Sequence, residues 1–232
     1  MEYSGDKLAA SKQSDGVYRF TYRVNPIQTG EQITIKFFDS KGRQLDIYNS
    51  SFEKCSDKML KYSVNEYIAD VAKYKNDAKL NAMVTALDNY CKASENYFLN
   101  GTYTLNIPNA DIKKTNDFKK QFEISLVLNT GTALRIYSNA ANAVIVNGAN
   151  ELPLTATAVD KNTKYFEISD INAFSLLDNI TVKLDSTTFK ICPMDYCALV
   201  LAKSTDQKLK DVCNALYYYA AAAKEYGSSI QN

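Results

Sequence analysis

Apolar residues recur at three- and four-residue intervals in two separate parts of the chain, which is the spacing of amphipathic helices. The first part predicts a short and a long helix, with apolar positions at Val64, Tyr67, Ile68, Val71, Leu80, Met83, Val84, Leu87 and Cys91. The second part predicts another such pair, with apolar positions at Met194, Cys197, Ala198, Leu201, Leu209, Val212, Cys213, Leu216, Ala220 and Ala223. In the second pair, Asp206 is the expected N-cap of the long helix and Gly227 its expected end.

Alternation of apolar and polar residues predicts β-strands in front of each helix pair. Before the first pair, strands are predicted at residues 18–24 and 33–36, and the polar stretch that follows predicts a turn at residues 40–43. More strands are predicted before the second pair, at residues 122–128, 134–137, 143–148, 152–159, 164–171 and 180–183. The Asn147-Gly148 dipeptide is a hairpin signal.

The two helix pairs are similar in sequence. Positions 129 residues apart are identical at 11 of the 36 positions from 63 to 98, without a gap, and Tyr90 matches Tyr219 in this alignment. The strands align with a different offset, because Ile33 matches Ile180 at 147 residues. The first copy therefore holds 18 more residues between strand and helix, and the chain is predicted to contain an internal repeat.

These elements predict an α+β protein with two related lobes, each a small, sandwich-like antiparallel sheet with an antiparallel helix pair. We assign residues 1–112 to the first β plus helix-pair repeat and residues 113–232 to the second. The strands of the first repeat are incomplete, so either the sequence begins within a repeat or residues 100–107 supply a substitute strand. The lobes are expected to pack through helix faces or to share a sheet.

Composition narrows the function classes. Of 232 residues, 46% are hydrophobic and 23% charged, as in an ordinary globular protein. The net charge of +1 argues against nucleic acid as a partner, and no apolar run has the length of a membrane span. The chain has no histidine, which removes Ser-His-Asp and Cys-His catalysis and the common zinc enzymes. We therefore predict a non-catalytic protein without a metal or cofactor.

Carboxylates are the remaining catalytic candidates, since two of them about 5–9 Å apart could serve a glycosidase. Their spacing singles out no pair, and we interpret all of them as solvated loop charge: Glu31, Asp39, Asp46, Asp160, Asp170, Asp178, Asp185 and Asp195. The five cysteines show no metal or redox spacing, and their odd number leaves at least one thiol free. Cys197 and Cys213 are predicted to be buried thiols, with a bridge from Cys192 or Cys197 to Cys213 as the alternative.

Three consecutive tyrosines provide the candidate binding site. Tyr217, Tyr218 and Tyr219 span about 200° of a helix, so their rings cannot all face one core. Tyr219 matches Tyr90 and is expected to be buried. Tyr217 and Tyr218 replace polar residues of the first copy, so at least one is expected on the surface, where tyrosine can stack on a sugar ring. The alternative is packing against the sheet or the other copy.

The helix-pair motif resembles a module of large exported proteins of gut Firmicutes, in which a β-unit leads into Y-S-V-x-x-Y and a second helix ends in L-x-Y-G-x-x-A-Q-x-Y-F. This chain has YSVNEY at residues 62–67 and LDNYCKASENYF at residues 87–98. It departs from the pattern at the usual glycine, where Cys91 and Ala220 stand, and at the usual glutamine, where Ser94 and Ala223 stand.

The resemblance implies a non-catalytic, secreted or cell-surface module of a multi-domain bacterial protein. The opening residues carry no signal peptide, so the export signal is expected outside this sequence. We expect the module to bind glycans in polysaccharide adhesion. The alternative is a structural spacer or protein–protein interaction module without a small ligand. The expected partner is accordingly a polysaccharide or a surface protein.

Overall fold

The protein combines antiparallel sheets with four α-helices in a computed structural model that describes residues 8, 11–14, 16–49, 52–73, 77–115 and 122–230. The helices are α1 (Val64–Val71), α2 (Ala78–Phe98), α3 (Met194–Lys203) and α4 (Gln207–Ile230). The strands are β1 (Ser11–Lys12), β2 (Tyr18–Arg19), β3 (Ile33–Ile35), β4 (Leu60–Tyr62), β5 (Glu123–Leu128), β6 (Thr132–Tyr137), β7 (Ala143–Asn147), β8 (Asn150–Leu154), β9 (Ala156–Ala158), β10 (Lys164–Ile168), β11 (Ile180–Leu184) and β12 (Thr187–Ile191). The predicted α+β class is confirmed.

Two four-stranded antiparallel sheets occupy the region between α2 and α3. Their strand orders are β5-β6-β10-β9 and β12-β11-β7-β8. The single strand predicted at residues 152–159 is wrong, because the chain leaves one sheet after β8 and enters the other at β9, with Thr155 between them. Pro153 lies in β8, an edge strand, where its missing N–H costs no ladder hydrogen bond.

The residues before α1 form two short ladders. β1 pairs with β2, and β3 pairs with β4. The strand predicted at residues 18–24 is wrong beyond Arg19, and Tyr18, Phe20 and Tyr22 are exposed. Beyond Arg19 the segment joins no described sheet, although Phe20 contacts Phe37 and Arg23 pairs with Asp170. The turn predicted at residues 40–43 is confirmed, since the Asp39 carboxylate accepts hydrogen bonds from the backbone N–H groups of Lys41 and Arg43.

The β3–β4 and β11–β12 ladders have the same register. Ile33 faces Tyr62 and Thr34 faces Lys61 in the first, while Ile180 faces Ile191 and Thr181 faces Lys190 in the second. The β3 residues and their β11 counterparts are 147 residues apart, and the β4 and β12 residues 129 apart, as in the sequence alignment. The Thr–Lys cross-strand pair is therefore the same in both ladders.

Polar side chains begin the helices. Ser63 caps α1 by accepting from the Glu66 N–H, Asp77 caps α2, and Asp206 accepts from the Leu209 N–H as predicted. The predicted end of α4 at Gly227 is wrong, because the helix continues to Ile230. A glycine inside a helix costs only about 1 kcal/mol, which the flanking turns outweigh. Among the described residues no helix is both long and apolar enough to cross a membrane.

Helices α2 and α4 run antiparallel along each other. Lys79 near the start of α2 forms an ion pair of 3.8 Å with Glu225 near the end of α4. Further along, Tyr90 stacks on Tyr219, with ring centroids 5.9 Å apart and planes 10° from parallel. Tyr90 is buried and Tyr219 half-buried at this contact. The buried residues of both helices, both four-stranded sheets and α3 form one continuous core.

Candidate functional site

An extended segment, residues 99–115, follows α2 and forms one wall of the candidate site; we call it the connector. The substitute strand predicted at residues 100–107 is wrong, because the connector joins no sheet in the described structure. Its backbone groups bond to side chains instead. The side-chain amide of Asn96 donates to the Tyr103 carbonyl and accepts from the Tyr103 N–H, each at 2.8 Å. It therefore makes the two hydrogen bonds that a neighbouring strand would make.

Two further buried polar side chains fix the rest of the connector. The Asn214 carbonyl oxygen on α4 accepts from the Ala110 N–H at 2.9 Å. One carboxylate oxygen of Asp195 on α3 accepts from the Thr115 N–H at 2.6 Å, and the other accepts from the Cys192 N–H at 2.8 Å. Asp195 and Asn214 are only 1% and 2% exposed. The interpretation of Asp195 as solvated loop charge is therefore wrong, since this carboxylate has a structural role in the interior.

A cleft of about 310 Å³ lies between α2, the connector and α4. Its α2 wall consists of small and polar residues, its second wall is the middle of the connector, and a tyrosine of α4 closes the third side. The lining residues are Ala82, Thr85, Ala86, Asn89, Asn106, Ile107, Pro108, Ala215 and Tyr218. This volume is at the lower end of the range of small-molecule sites.

The cleft is uncharged and largely apolar, with four polar side chains among its nine lining residues. The amides of Asn89 and Asn106 and the hydroxyls of Thr85 and Tyr218 are its side-chain hydrogen-bonding groups. Within the described ranges, none of these four side chains hydrogen-bonds to another residue. A neutral ligand with several hydroxyl groups could use these donors and acceptors together with the face of the Tyr218 ring.

The two tyrosines predicted to bind a ligand have different surroundings. Tyr218 lines the cleft, whereas Tyr217 packs against the core. Both are half-buried, and their rings contact edge to face with centroids 5.3 Å apart. The assignment of both residues to a binding site stays a prediction, in which Tyr218 would contact the ligand and Tyr217 would support its ring.

The other candidate carboxylates have hydrogen-bonding or charged partners, some adjacent in sequence and some distant. Asp46 pairs with Lys54 and Lys58, Asp170 with Arg23, and Asp178 with Lys224. Asp39 and Asp160 accept backbone hydrogen bonds within turns, and Asp185 accepts one from the Asn142 N–H. Glu31 accepts a hydrogen bond from the side-chain amide of Gln28. In the described part of the chain, no group of three His, Cys, Asp or Glu residues could hold a metal ion.

All five cysteines are free thiols, and Cys91, Cys192, Cys197 and Cys213 are buried. The predicted burial of Cys197 and Cys213 is confirmed. The hydrogen bond that the Cys197 thiol donates to Cys213, together with burial, raises the pKa of Cys197. Burial raises the pKa of Cys91 to about 12.

Sequence reasoning missed the α2 and connector walls of the cleft. Asn89 and Asn106 looked like ordinary surface amides, because nothing local links an α2 residue to one in the connector. The sequence does not mark Asn214 either, because a polar residue between Cys213 and Ala215 is ordinary in an amphipathic helix. Only the structure shows that it is 2% exposed and that the connector supplies the hydrogen-bonding partner which a buried amide requires.

Comparison with known proteins assigns no relative. No protein family, curated protein or solved structure matches the chain.

Proposed function

We propose that this protein is a non-catalytic, extracellular module of a bacterial surface protein and that it binds a neutral glycan in the cleft beside Tyr218. The observation that carries the proposal is the composition of the cleft: one half-buried tyrosine ring, three side chains with amide or hydroxyl groups, five apolar side chains, and no charge. Sugars present an apolar ring face and a rim of hydroxyl groups, which match an aromatic ring and amides respectively. The extracellular location is supported by the resemblance of the helix-pair motif.

The position of the cleft supports a binding role. It contains two pairs of residues that correspond in the repeat alignment, Ala86 with Ala215 and Asn89 with Tyr218. The small alanines let α2 and α4 approach closely at the base. The second pair gives one side an amide and the other side an aromatic ring, so the cleft has chemically different walls although equivalent positions build it.

We further propose that the two halves are copies of one β plus helix-pair unit. The shared ladder register of β3–β4 and β11–β12 supports this, as does the stacking of the corresponding residues Tyr90 and Tyr219. A reciprocal electrostatic influence supports it as well. Burial and the nearby Tyr226 phenol raise the pKa of Tyr67, while burial and, among its neighbours, Tyr97 raise the pKa of Tyr196. In the repeat alignment Tyr67 corresponds to Tyr196 and Tyr97 to Tyr226. Each pair therefore joins the same two repeat positions, with the copies exchanged.

A protein-binding or spacer role is the second candidate. Its support is the number of exposed aromatic rings before α1, at Tyr18, Phe20, Tyr22, Phe38, Tyr48 and Phe52. Exposed apolar surface of this kind is typical of protein–protein contacts.

The test is affinity electrophoresis and pull-down against starch, xylan, cellulose and mucin. Tyr218→Ala is expected to weaken retention by the recognised glycan at least tenfold, as removal of a central aromatic contact does. Asn89→Ala is expected to weaken it less, through the loss of amide hydrogen bonds. Tyr48→Ala is the matched control, because it removes a tyrosine that is 57% exposed and does not line the cleft. Tyr217→Ala is expected to have an intermediate effect through the support of Tyr218.

Each outcome has a distinct meaning. Retention that Tyr218→Ala abolishes and Tyr48→Ala leaves intact agrees with the proposal. Retention that neither change affects would preserve glycan binding but rule out this cleft. Absence of retention by every glycan would refute the glycan proposal and favour the protein-binding role.

A further inference from the structure

We propose that the outer edge of β3 accepts one additional antiparallel strand from an uncharged, β-branched polypeptide segment of the kind that β7 provides for β11. The inference goes beyond glycan binding and concerns a different surface. It rests on a difference between the two ladders of identical register, because β11 has a second neighbour and β3 has none among the described residues.

The β11–β7 contact defines the expected pairing. Lys183 faces Val144 in this antiparallel ladder, and at its end the Asp185 N–H donates to the Asn142 carbonyl at 3.0 Å. Because hydrogen-bonded pairs alternate along an antiparallel ladder, the backbone groups of Thr181 and Lys183 point toward β7. Those of Ile180 and Val182 point toward β12.

The corresponding residues of the first ladder point their backbone groups away from β4. Thr34 and Lys36 match Thr181 and Lys183 in the alignment. The hydrogen bond from the Leu45 N–H to the Phe37 carbonyl is consistent with this orientation. It places the backbone groups of odd-numbered residues on the side of β4, so those of the even-numbered residues point away from β4. In the described structure no backbone group bonds to Thr34 or Lys36 on the outer side.

Exposure agrees with an open edge. Thr34 and Lys36 are exposed, whereas Thr181 and Lys183, beside β7, are half-buried. The ring of Phe20 packs against Phe37, just beyond β3, with centroids 5.3 Å apart, and no described strand pairs with the outer edge of β3. An exposed row of backbone donors and acceptors is a template for strand addition.

β7 shows the chemistry of a suitable occupant. Its sequence is Ala-Val-Ile-Val-Asn, which is uncharged and rich in β-branched residues. A partner segment of this composition would satisfy the outward N–H and C=O groups of β3 and place alternate apolar side chains on the face that carries Ile33 and Ile35.

The test uses a fluorescent peptide with the sequence of residues 141–148, titrated into the whole protein by anisotropy. In this peptide, the amides of Val144 and Val146 would face β3, and that of Ile145 would point away. N-methylation of Val144 is expected to weaken binding at least tenfold, because it removes a donor and adds steric bulk. N-methylation of Ile145 is the matched control and is expected to change binding less than twofold.

Amide hydrogen exchange locates the contact. In the free protein, the Thr34 and Lys36 amides are expected to exchange at least tenfold faster than those of Thr181 and Lys183. Saturating peptide is expected to slow the first two at least tenfold and leave the other two unchanged.

Four results would overturn the proposal. Slow exchange of Thr34 and Lys36 in the free protein at every concentration would mean that another part of the chain covers the edge. Protection that appears only at high protein concentration would identify a second copy as the occupant. Equal effects of the two methylations would indicate adhesion through side chains, and absence of peptide binding would exclude a segment of this kind.

Discussion

Replacement of Asp195 by alanine tests the most consequential buried polar group. Its carboxylate is 1% exposed and accepts two backbone hydrogen bonds, from Thr115 in the connector and from Cys192 immediately before α3. Asp195→Ala leaves both N–H groups in the interior without an acceptor. The change removes the link between the end of the connector and α3, as well as a negative charge in the first turn of the helix.

The expected cost follows from these contacts. A hydrogen bond to a charged group contributes about 1.5–3 kcal/mol, and a buried donor left unsatisfied costs about 1–3 kcal/mol. Relief of the buried charge offsets part of the loss, since a desolvated carboxylate is itself unfavourable. We therefore expect Asp195→Ala to lower the free energy of unfolding by about 3–5 kcal/mol, a large share of the total stability of about 5–15 kcal/mol typical of a domain.

Glu66 provides the matched control, because it occupies the position of α1 that corresponds to Asp195. Glu66 is exposed and accepts a hydrogen bond from the Ser63 hydroxyl. Loss of this surface contact is expected to cost no more than about 1 kcal/mol. Urea denaturation at pH 7 measures both variants, and hydrogen exchange should show that the Thr115 and Cys192 amides lose protection only in Asp195→Ala. A cost below about 1 kcal/mol, or unchanged protection of these amides, would refute the reasoning.

Three further predictions follow from other contacts. In a double-mutant cycle of Tyr90→Leu and Tyr219→Leu, the stacked rings should give a coupling energy of about 1 kcal/mol by urea denaturation, and additive effects would contradict the stacking. The hydrogen bond from Arg135 holds the pKa of Glu167 below its usual value, so the pair stabilises the fold above that value and loses its effect as the pH falls through the lowered pKa. The destabilisation by Glu167→Gln, at most about 1 kcal/mol at pH 7, should therefore disappear once the pH falls below the lowered pKa of Glu167, and a pH-independent difference would contradict this assignment. A thiol reagent at pH 8 should modify Cys55 alone in the native protein and all five cysteines in urea, because the other four are buried; rapid reaction of a second native thiol would disprove the buried arrangement.

The sequence predicted those elements whose causes are local. The four helices followed from apolar spacing, and the Asp206 cap from a short polar side chain before an apolar stripe. The turn after Asp39 followed from a cluster of polar residues and a glycine. In each case the interacting groups are a few residues apart, so the pattern contains the physical reason for the structure.

The parts that were missed depend on distant residues. The Asn214–Ala110 hydrogen bond spans 104 residues and the Asp195–Thr115 bond spans 80, so no local pattern could place the connector against α3 and α4. At residues 18–24 the local pattern predicted a longer strand than the structure forms, since β2 ends at Arg19. The pattern fits a half-buried strand, but in the described structure only Tyr18 and Arg19 pair with another strand, and Tyr18, Phe20 and Tyr22 stay exposed.

The proposed binding cleft and the proposed strand-acceptor edge have a common origin if the chain contains two copies of one unit. Two packed copies with identical sequences would present equivalent walls wherever α2 and α4 meet. Here Asn89 lies opposite Tyr218, and the connector covers the cleft on one side only, so the equivalence is broken at the point where a ligand would bind. The two halves also differ in their strand pairing, because β11 has β7 as a second neighbour whereas β3 has none among the described residues. The positions at which the two halves differ, rather than those they share, are therefore where recognition of a partner is expected.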